Sequence, residues 1–277
     1  MILYKLINSA ICATQHVAEH GGETAEHGSE SGVSLHIPNL LTFIFGHEFA
    51  EHFAVTFFAL FIATILVIGA WFIYRNRQLI PGPAQNFVEV IVEWLYGMAY
   101  GMLGKETKRY LPFVGTLFVY IWCMNMSGLV PFFHASTSAL NMTLALAITV
   151  FLYVQFISFT RMGPGKYLHH LAGEPNSGVT WALIVINFPL HFIGEFIKPF
   201  SLAMRLFGNI FGEDTLIAVM ISLGIMLLAA IGSPVGIPLQ VPFYFLSLLL
   251  GTIQALVFMM LSTGYIMMAL PHEEHAH

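Results

Sequence analysis

The sequence contains long runs of apolar residues that carry no charged side chain. The first run, residues 53–74, is 22 residues long, and comparable runs recur toward the C-terminus. A helix needs about 20 mostly apolar residues to cross the hydrocarbon core of a bilayer. Only 9% of the 277 residues are charged, against about 25% in a soluble domain. The chain is therefore predicted to be an all-α polytopic membrane protein, and not a cytosolic enzyme, a disordered protein or a nucleic-acid binder.

The apolar runs predict five to six hydrophobic helices, of which the last two are long. Residues 1–50 are rich in His, Glu and Gly and are predicted to be an extramembrane segment, and residues 51–277 to be the membrane-embedded domain. The predicted spans are 53–74, 111–133, 140–159 and two final stretches, about 179–231 and 241–270. Residues 84–102 contain Glu89 and Glu93 among apolar residues, which favours an interfacial helix.

The positions of the basic residues predict the orientation. Seven of the ten lysines and arginines fall in two loops on one side of the alternating spans: Arg75, Arg77, Lys105, Lys108, Arg109, Arg161 and Lys166. Loops rich in Lys and Arg stay in the cytoplasm. We therefore expect the N-terminus outside and the C-terminus in the cytoplasm. This describes a multi-pass membrane protein.

One charge inside the apolar region constrains the function most. Arg205 is flanked by Leu202, Met204, Leu206 and Phe207. An arginine at a helix centre in hydrocarbon costs about 2.5–3.5 kcal/mol on insertion scales, and it cannot lose its proton because its pKa exceeds about 12. It therefore needs an anionic partner or a water-filled cleft.

Further polar residues share helix faces with this arginine or with one another. At 100° per residue, His191, Lys198, Arg205 and Asn209 lie within about 40° of one face. On the last helix, Ser247, Gln254 and Tyr265 form a second polar stripe. Two interpretations follow. Either the charges mark an ion path, or Arg205 pairs internally with Glu195 or Glu213 in a helix-packing network.

The segment around Arg205 resembles a known family. Residues 199–209, PFSLAMRLFGN, preceded by HFIGEFIK at 191–198, resemble the signature of subunit a of rotary, F-type ATP synthases of the bacterial type. Three further motifs fall in the family's order: NMSGLVP at 125–131, NMT at 141–143 and QALVFM at 254–259. The resemblance covers about residues 53–274.

This resemblance implies a proton-translocating stator subunit of the Fo sector. The last two helices would tilt against a ring of c subunits, each carrying one carboxylate, with inlet and outlet half-channels on either side. Arg205 matches the family's essential arginine, which attracts the ring carboxylate and prevents a proton short-circuit. The expected proton-translocation residues are His191, Glu195, Lys198, Arg205, Asn209, Glu213, Asp214, Ser247 and Gln254.

The resemblance leaves several positions open. Asp214 occupies the place where relatives carry Glu or His, and Glu213 lies beside it, so either could be the inlet relay. Ser247 stands where relatives often carry His or Glu, which favours one ionisable inlet group instead of two. The coupling ion, proton or sodium, and the ring stoichiometry depend on the ring subunit.

The implied partners are the c-ring, the b subunits of the peripheral stalk, the F1 sector indirectly and membrane lipid, with no nucleic acid. We expect no catalysis by the chain alone, no cofactor and no metal. His47 and His52 are five residues apart, one more than the zinc motif H-E-x-x-H requires. The alternative function is a stand-alone ion-coupled secondary transporter, a class that often has paired halves with interrupted helices. The sequence lacks an internal repeat of that kind.

Overall fold

A computed structural model describes residues 47–78, 82–130, 136–163, 165, 184–229 and 238–270. These ranges contain α-helices and two short 3-10 turns, Gly104–Glu106 and Ser136–Ser138, and no strand. The helices are α1 (His47–Arg75), α2 (Pro83–Leu103), α3 (Thr107–Ser127), α4 (Leu140–Met162), α5 (Ile184–Ala229) and α6 (Val241–Ala269). Residues 1–46 of the predicted N-terminal segment lie outside the described residues.

The helices confirm the predicted all-α class. Within the described ranges, five helical segments are long and apolar enough to cross a membrane, with α2 and α3 counted as one continuous segment. The predicted span 111–133 is displaced, because α3 begins at Thr107 and ends at Ser127. The backbone N–H groups of Gly128, Leu129 and Val130 each donate to a carbonyl three residues back, so the last turn tightens and the helix stops there.

Helix α5 is continuous through two prolines, Pro189 and Pro199. A proline removes one backbone hydrogen bond, which membrane helices tolerate because neighbouring groups satisfy the freed carbonyl. At 1.5 Å per residue, 46 residues span about 69 Å. This is more than twice the roughly 30 Å hydrocarbon thickness. An α5 that stays near the bilayer must therefore tilt, bend or extend beyond it.

The core lies between α3, α4, α5 and α6, which contribute most of its fully buried apolar side chains. Helices α3 and α4 run antiparallel. Arg161 Nη2 lies 2.8 Å from Glu106 Oε2 at one end of the pair, and the rings of Phe113 and Tyr153 stack 3.7 Å apart further along. These contacts hold α4 so that one of its faces packs against α5.

Candidate functional site

The predicted polar stripe of α6 faces α5, and the two helices run antiparallel. All three stripe positions contact a polar residue of α5: Ser247 Oγ donates to Glu213 Oε2 (2.6 Å), Asn209 Nδ2 donates to Gln254 Oε1 (2.7 Å), and Lys198 Nζ lies 5.9 Å from the centre of the Tyr265 ring. The spacing predicted on two separate helices thus becomes one ladder of polar contacts between them.

The contact nearest the N-terminus of α5 belongs to a group that we call the Glu195 cluster: Glu195, Lys198, Gln155 and Tyr265. Lys198 forms an ion pair with Glu195 one turn earlier. Gln155 on α4 donates to the other carboxylate oxygen of Glu195 at 3.4 Å. The charged residues are only partly exposed, so a half-buried carboxylate is held by donors from two helices. His191, one turn before Glu195, is exposed.

The contact nearest the C-terminus of α5 belongs to the Glu213 cluster: Glu213, Asp214, Ser247 and Ser138. Glu213 Oε2 accepts from Ser247, whereas Glu213 Oε1 is buried with no hydrogen-bond partner among the described residues. The side chain of Ser138, in the 3-10 turn before α4, hydrogen-bonds the Asp214 carboxyl. Consecutive helix positions point about 100° apart, so these two carboxyls contact different elements.

The middle contact joins Asn209 to Gln254. Gln254 is buried, with 3% of its surface exposed, and its Nε2 has no hydrogen-bond partner within the described ranges. The carbonyl oxygen of Gln254 accepts from Asn209, so its amide group is a buried donor that finds no acceptor in the described part of the chain.

Arg205 lies between the two clusters, and its side chain is exposed. It has no ion pair or hydrogen bond to any described residue. The two carboxylates weighed as internal partners are engaged elsewhere, Glu195 with Lys198 and Glu213 with Ser247. The network interpretation therefore finds no support in the described contacts.

The face around Arg205 is open. A Cβ atom added at Gly208 or Gly212 would meet nothing within 4 Å. Large apolar side chains on α5 and on the adjoining part of α6 are exposed beside them, including Met204, Phe211, Leu249 and Ile253. Counting 1.5 Å per residue, Glu195 lies about 15 Å from Arg205 along the helix in one direction and Glu213 about 12 Å in the other. A cation with no ion pair among the described residues thus lies on an apolar face with a carboxylate cluster on each side.

Sequence reasoning missed Gln155 and Ser138 as members of the clusters. Each had a local signal: Gln155 is a polar residue inside the apolar run of α4, and Ser138 ends the hydroxyl run Ser136-Thr137-Ser138. Neither signal says which helix the side chain contacts, because that depends on how the helices pack. Among the described residues no group of His, Cys, Asp and Glu could hold a metal ion.

The fold and the site define a class: a polytopic helical membrane protein with ionisable residues along one intramembrane helix pair, the arrangement of an ion-translocating protein. Comparison with known sequences is more specific. The sequence model of the ATP synthase A chain family matches residues 55–267. The chain therefore belongs to the ATP synthase A chain family.

Individual relatives agree with this assignment. An ATP synthase subunit a of Protochlamydia amoebophila is 43% identical over 227 residues, covering 82% of this chain and 83% of the relative. Those of Moorella thermoacetica and Oleidesulfovibrio alaskensis are 34% and 36% identical, covering 74% and 76% of this chain and 85% and 83% of the relatives.

Proposed function

We propose that the chain is the proton-translocating stator subunit of an ATP synthase Fo sector, with Arg205 as the charge that separates two half-channels. The observation that carries the proposal is the exposed Arg205, which has no ion pair among the described residues and lies on an open apolar face between two carboxylate clusters. Family membership supports the role in proton translocation, and the stand-alone transporter is not favoured.

Arg205 has no ionic partner among the described residues of its own chain. A fixed cation in a low-dielectric region favours the ionised form of a nearby carboxylate. A ring carboxylate that arrives opposite Arg205 would therefore release its proton there. Because an arginine stays protonated, it cannot pass a proton between the two sides. The membrane potential supplies about 2.3 kcal/mol per charge per 100 mV.

The two clusters are assigned to the two half-channels by their order along α5. With the orientation expected from the basic loops, the N-terminal end of α5 is cytoplasmic. The Glu195 cluster then belongs to the cytoplasmic outlet used during ATP synthesis, and the Glu213 cluster to the inlet. Each cluster offers a half-buried carboxylate with hydroxyl or amide partners, the groups that a proton relay needs.

The proposed partners are inferred from the same exposed face of α5 and α6 around Arg205. A ring of c subunits would cover the exposed residues of α5 and α6 around Arg205, and the tilt of these helices would follow the ring. The b subunits of the peripheral stalk would hold the chain stationary, and F1 would be reached through them. The chain itself would carry out no bond chemistry, and it would reside in a bacterial plasma membrane with its C-terminus in the cytoplasm.

The deciding experiment is Arg205→Ala in the assembled complex. ATP-driven acidification of inverted membrane vesicles is compared with wild type, and assembly is checked by blotting. We expect the complex to assemble, and pumping and ATP synthesis to fall more than about tenfold. The substitution removes the positive charge that would favour the ionised form of the ring carboxylate.

Lys105→Ala is the matched control, because Lys105 is also an exposed basic residue but lies in the turn Gly104–Glu106, outside α5 and α6. It should pump at close to the wild-type rate. If Arg205→Ala assembles and pumps normally, Arg205 is a packing residue and the proposed mechanism is wrong.

A further inference from the structure

Three consecutive hydroxyl residues in the turn before α4 each bond a different helix. Ser136 Oγ donates to the Val55 carbonyl of α1 at 3.0 Å, and Thr137 Oγ1 donates to Asn125 Oδ1 of α3 at 2.8 Å. Ser138 hydrogen-bonds Asp214 of α5. Ser136 and Thr137 are fully buried. One short turn is thus tied to three helices by three separate side chains.

The bond made by Thr137 continues into α6. Asn125 is 6% exposed, and its Nδ2 donates to the Gly251 carbonyl at 2.9 Å. Its Oδ1 accepts from Thr137, so both ends of the amide are engaged. The result is a buried series of two hydrogen bonds that connects the turn, through Asn125 of α3, to the backbone of α6.

The end point of this series lies between two residues of the polar ladder. On α6, Gly251 lies one turn after Ser247 and one turn before Gln254, within about 40–60° of each on the helix surface. A Cβ atom at Gly251 would lie 3.3 Å from Asn125 Cβ, so α3 and α6 are in close contact here. Fixing the backbone at Gly251 therefore fixes the height and rotation of both neighbouring side chains.

We propose that Thr137 and Asn125 are positioning residues for the proton path. By holding α6 at Gly251, they keep Ser247 within reach of Glu213 and Gln254 within reach of Asn209. A slip of one residue would move α6 by about 1.5 Å and turn it by about 100° relative to those partners. The inference rests on the proposed function of the two contacts, but it concerns residues outside them.

The test compares variants at neighbouring hydroxyls of the same turn. Thr137→Val keeps the side-chain shape and removes the donor to Asn125, Thr137→Ser keeps the donor, and Ser136→Ala removes only the bond to α1. The measurement is ATP-driven acidification of inverted vesicles, normalised to assembled complex. We expect Thr137→Val to pump about three- to tenfold more slowly, since it leaves a buried acceptor unpaired. Thr137→Ser and Ser136→Ala should stay near wild type.

A double variant tests whether Thr137 and Asn125 act through the same series of hydrogen bonds. Asn125→Leu combined with Thr137→Val should pump no more slowly than the worse single variant, because contacting residues of one network are not additive. Losses that multiply, an equal loss in Ser136→Ala, or wild-type pumping by Thr137→Val would each overturn the proposal. Where Asn125→Leu does not assemble, the Val and Ser variants of Thr137 decide.

The two proposals fail in different experiments. If Arg205→Ala abolishes pumping while Thr137→Val pumps normally, only the positioning proposal is wrong. If Arg205→Ala pumps normally, the proposed function itself is wrong, whatever the Thr137 variants do.

Discussion

Glu213 and Asp214 are neighbours in the sequence, but their carboxyl groups contact different elements. Glu213 accepts a hydrogen bond from Ser247 of α6, and Asp214 is bonded by Ser138 of the turn before α4. Glu213 also lies one turn after Asn209, the α5 residue that contacts Gln254. Of the two carboxyls left open by the sequence, Glu213 is therefore the one that adjoins the polar ladder, and we expect it to pass the proton on toward the ring.

The Ser247–Glu213 contact gives a prediction at this scale. Ser247→Ala should lower ATP-driven pumping about two- to tenfold, the range expected for the loss of one buried hydrogen bond. In a Glu213→Gln background, the same substitution should add little further loss, because the two side chains act as a pair. The measurement is vesicle acidification for the two single variants and the double variant.

Ser262→Ala is the matched control for that series. Ser262 is also a buried serine of α6, but its hydroxyl donates to Phe258 of its own helix. It should pump like wild type. An equal loss in Ser262→Ala would mean that any buried hydroxyl of α6 matters and that the contact with Glu213 has no special role.

At the residue scale, the sequence predicted which residues are polar inside the membrane but not how they pair. Helical periodicity was enough to put Ser247, Gln254 and Tyr265 on one face. It could not assign Glu195 to Lys198, because the pairing of a flexible charged side chain depends on which neighbour is within reach. Gln155 was missed for a related reason: its partner is on another helix, 40 residues away.

At the scale of helices, two glycines have opposite surroundings. Gly251 of α6 is buried against Asn125 and Met126 of α3, and an added Cβ would lie 3.3 Å from atoms of both. Gly208 of α5 is exposed, and an added Cβ would meet nothing within 4 Å. Small residues let membrane helices approach closely. Gly251 serves that purpose within the chain, and we expect Gly208 to serve it toward the ring.

The two glycines therefore predict two different defects. Gly251→Leu should destabilise the subunit by about 1–3 kcal/mol, the usual cost of overpacking a core, and reduce the fraction of the subunit itself that stays soluble after heating in detergent. Gly208→Leu should leave that heat resistance unchanged but lower pumping more than about tenfold, because the ring could no longer approach. The gain in helix propensity is the same at both positions, so it cancels in the comparison.

If both variants lose heat resistance equally, the face around Gly208 is packed within the subunit itself and is not the ring contact.

The ends of these helices also show the limit of sequence reasoning. Runs of apolar residues predicted α4 and α6 to within a few residues. They misplaced the end of α3, where tightening of the backbone at Gly128, and not a change in hydropathy, stops the helix.

At the scale of the whole molecule, the expected orientation can be tested directly. In a background lacking Cys12 and Cys123, single cysteines replace the exposed residues Gln78, Lys105 and Asn141. With a membrane-impermeant thiol reagent, the first two should label in inverted vesicles and the third in right-side-out vesicles, since loops rich in Lys and Arg are expected on the cytoplasmic side. Labelling of Asn141→Cys from the same side as Lys105→Cys would reverse the assignment of inlet and outlet.

The sequence predicted most of the architecture because two constraints apply to each helix separately. These are the thickness of the bilayer and the free-energy cost of placing a charged side chain in hydrocarbon. Spans such as α1 follow from local composition alone. The contacts between helices do not, because packing of α3 against α6 joins positions more than 120 residues apart. What remained out of reach was therefore the set of interhelical bonds, including the series from Thr137 to Gly251.

The continuity of α5 has a consequence for length variation. Glu195, Arg205 and Glu213 lie on one unbroken helix, so the number of residues between them fixes the angle between their side chains. A single residue inserted between Glu195 and Glu213 would rotate one carboxylate by about 100° against the other and shift it by about 1.5 Å. Loops can absorb insertions, but this segment cannot. Deletion or insertion here should therefore be more harmful than most substitutions. The number of residues between Glu195 and Glu213 is itself a requirement for proton translocation.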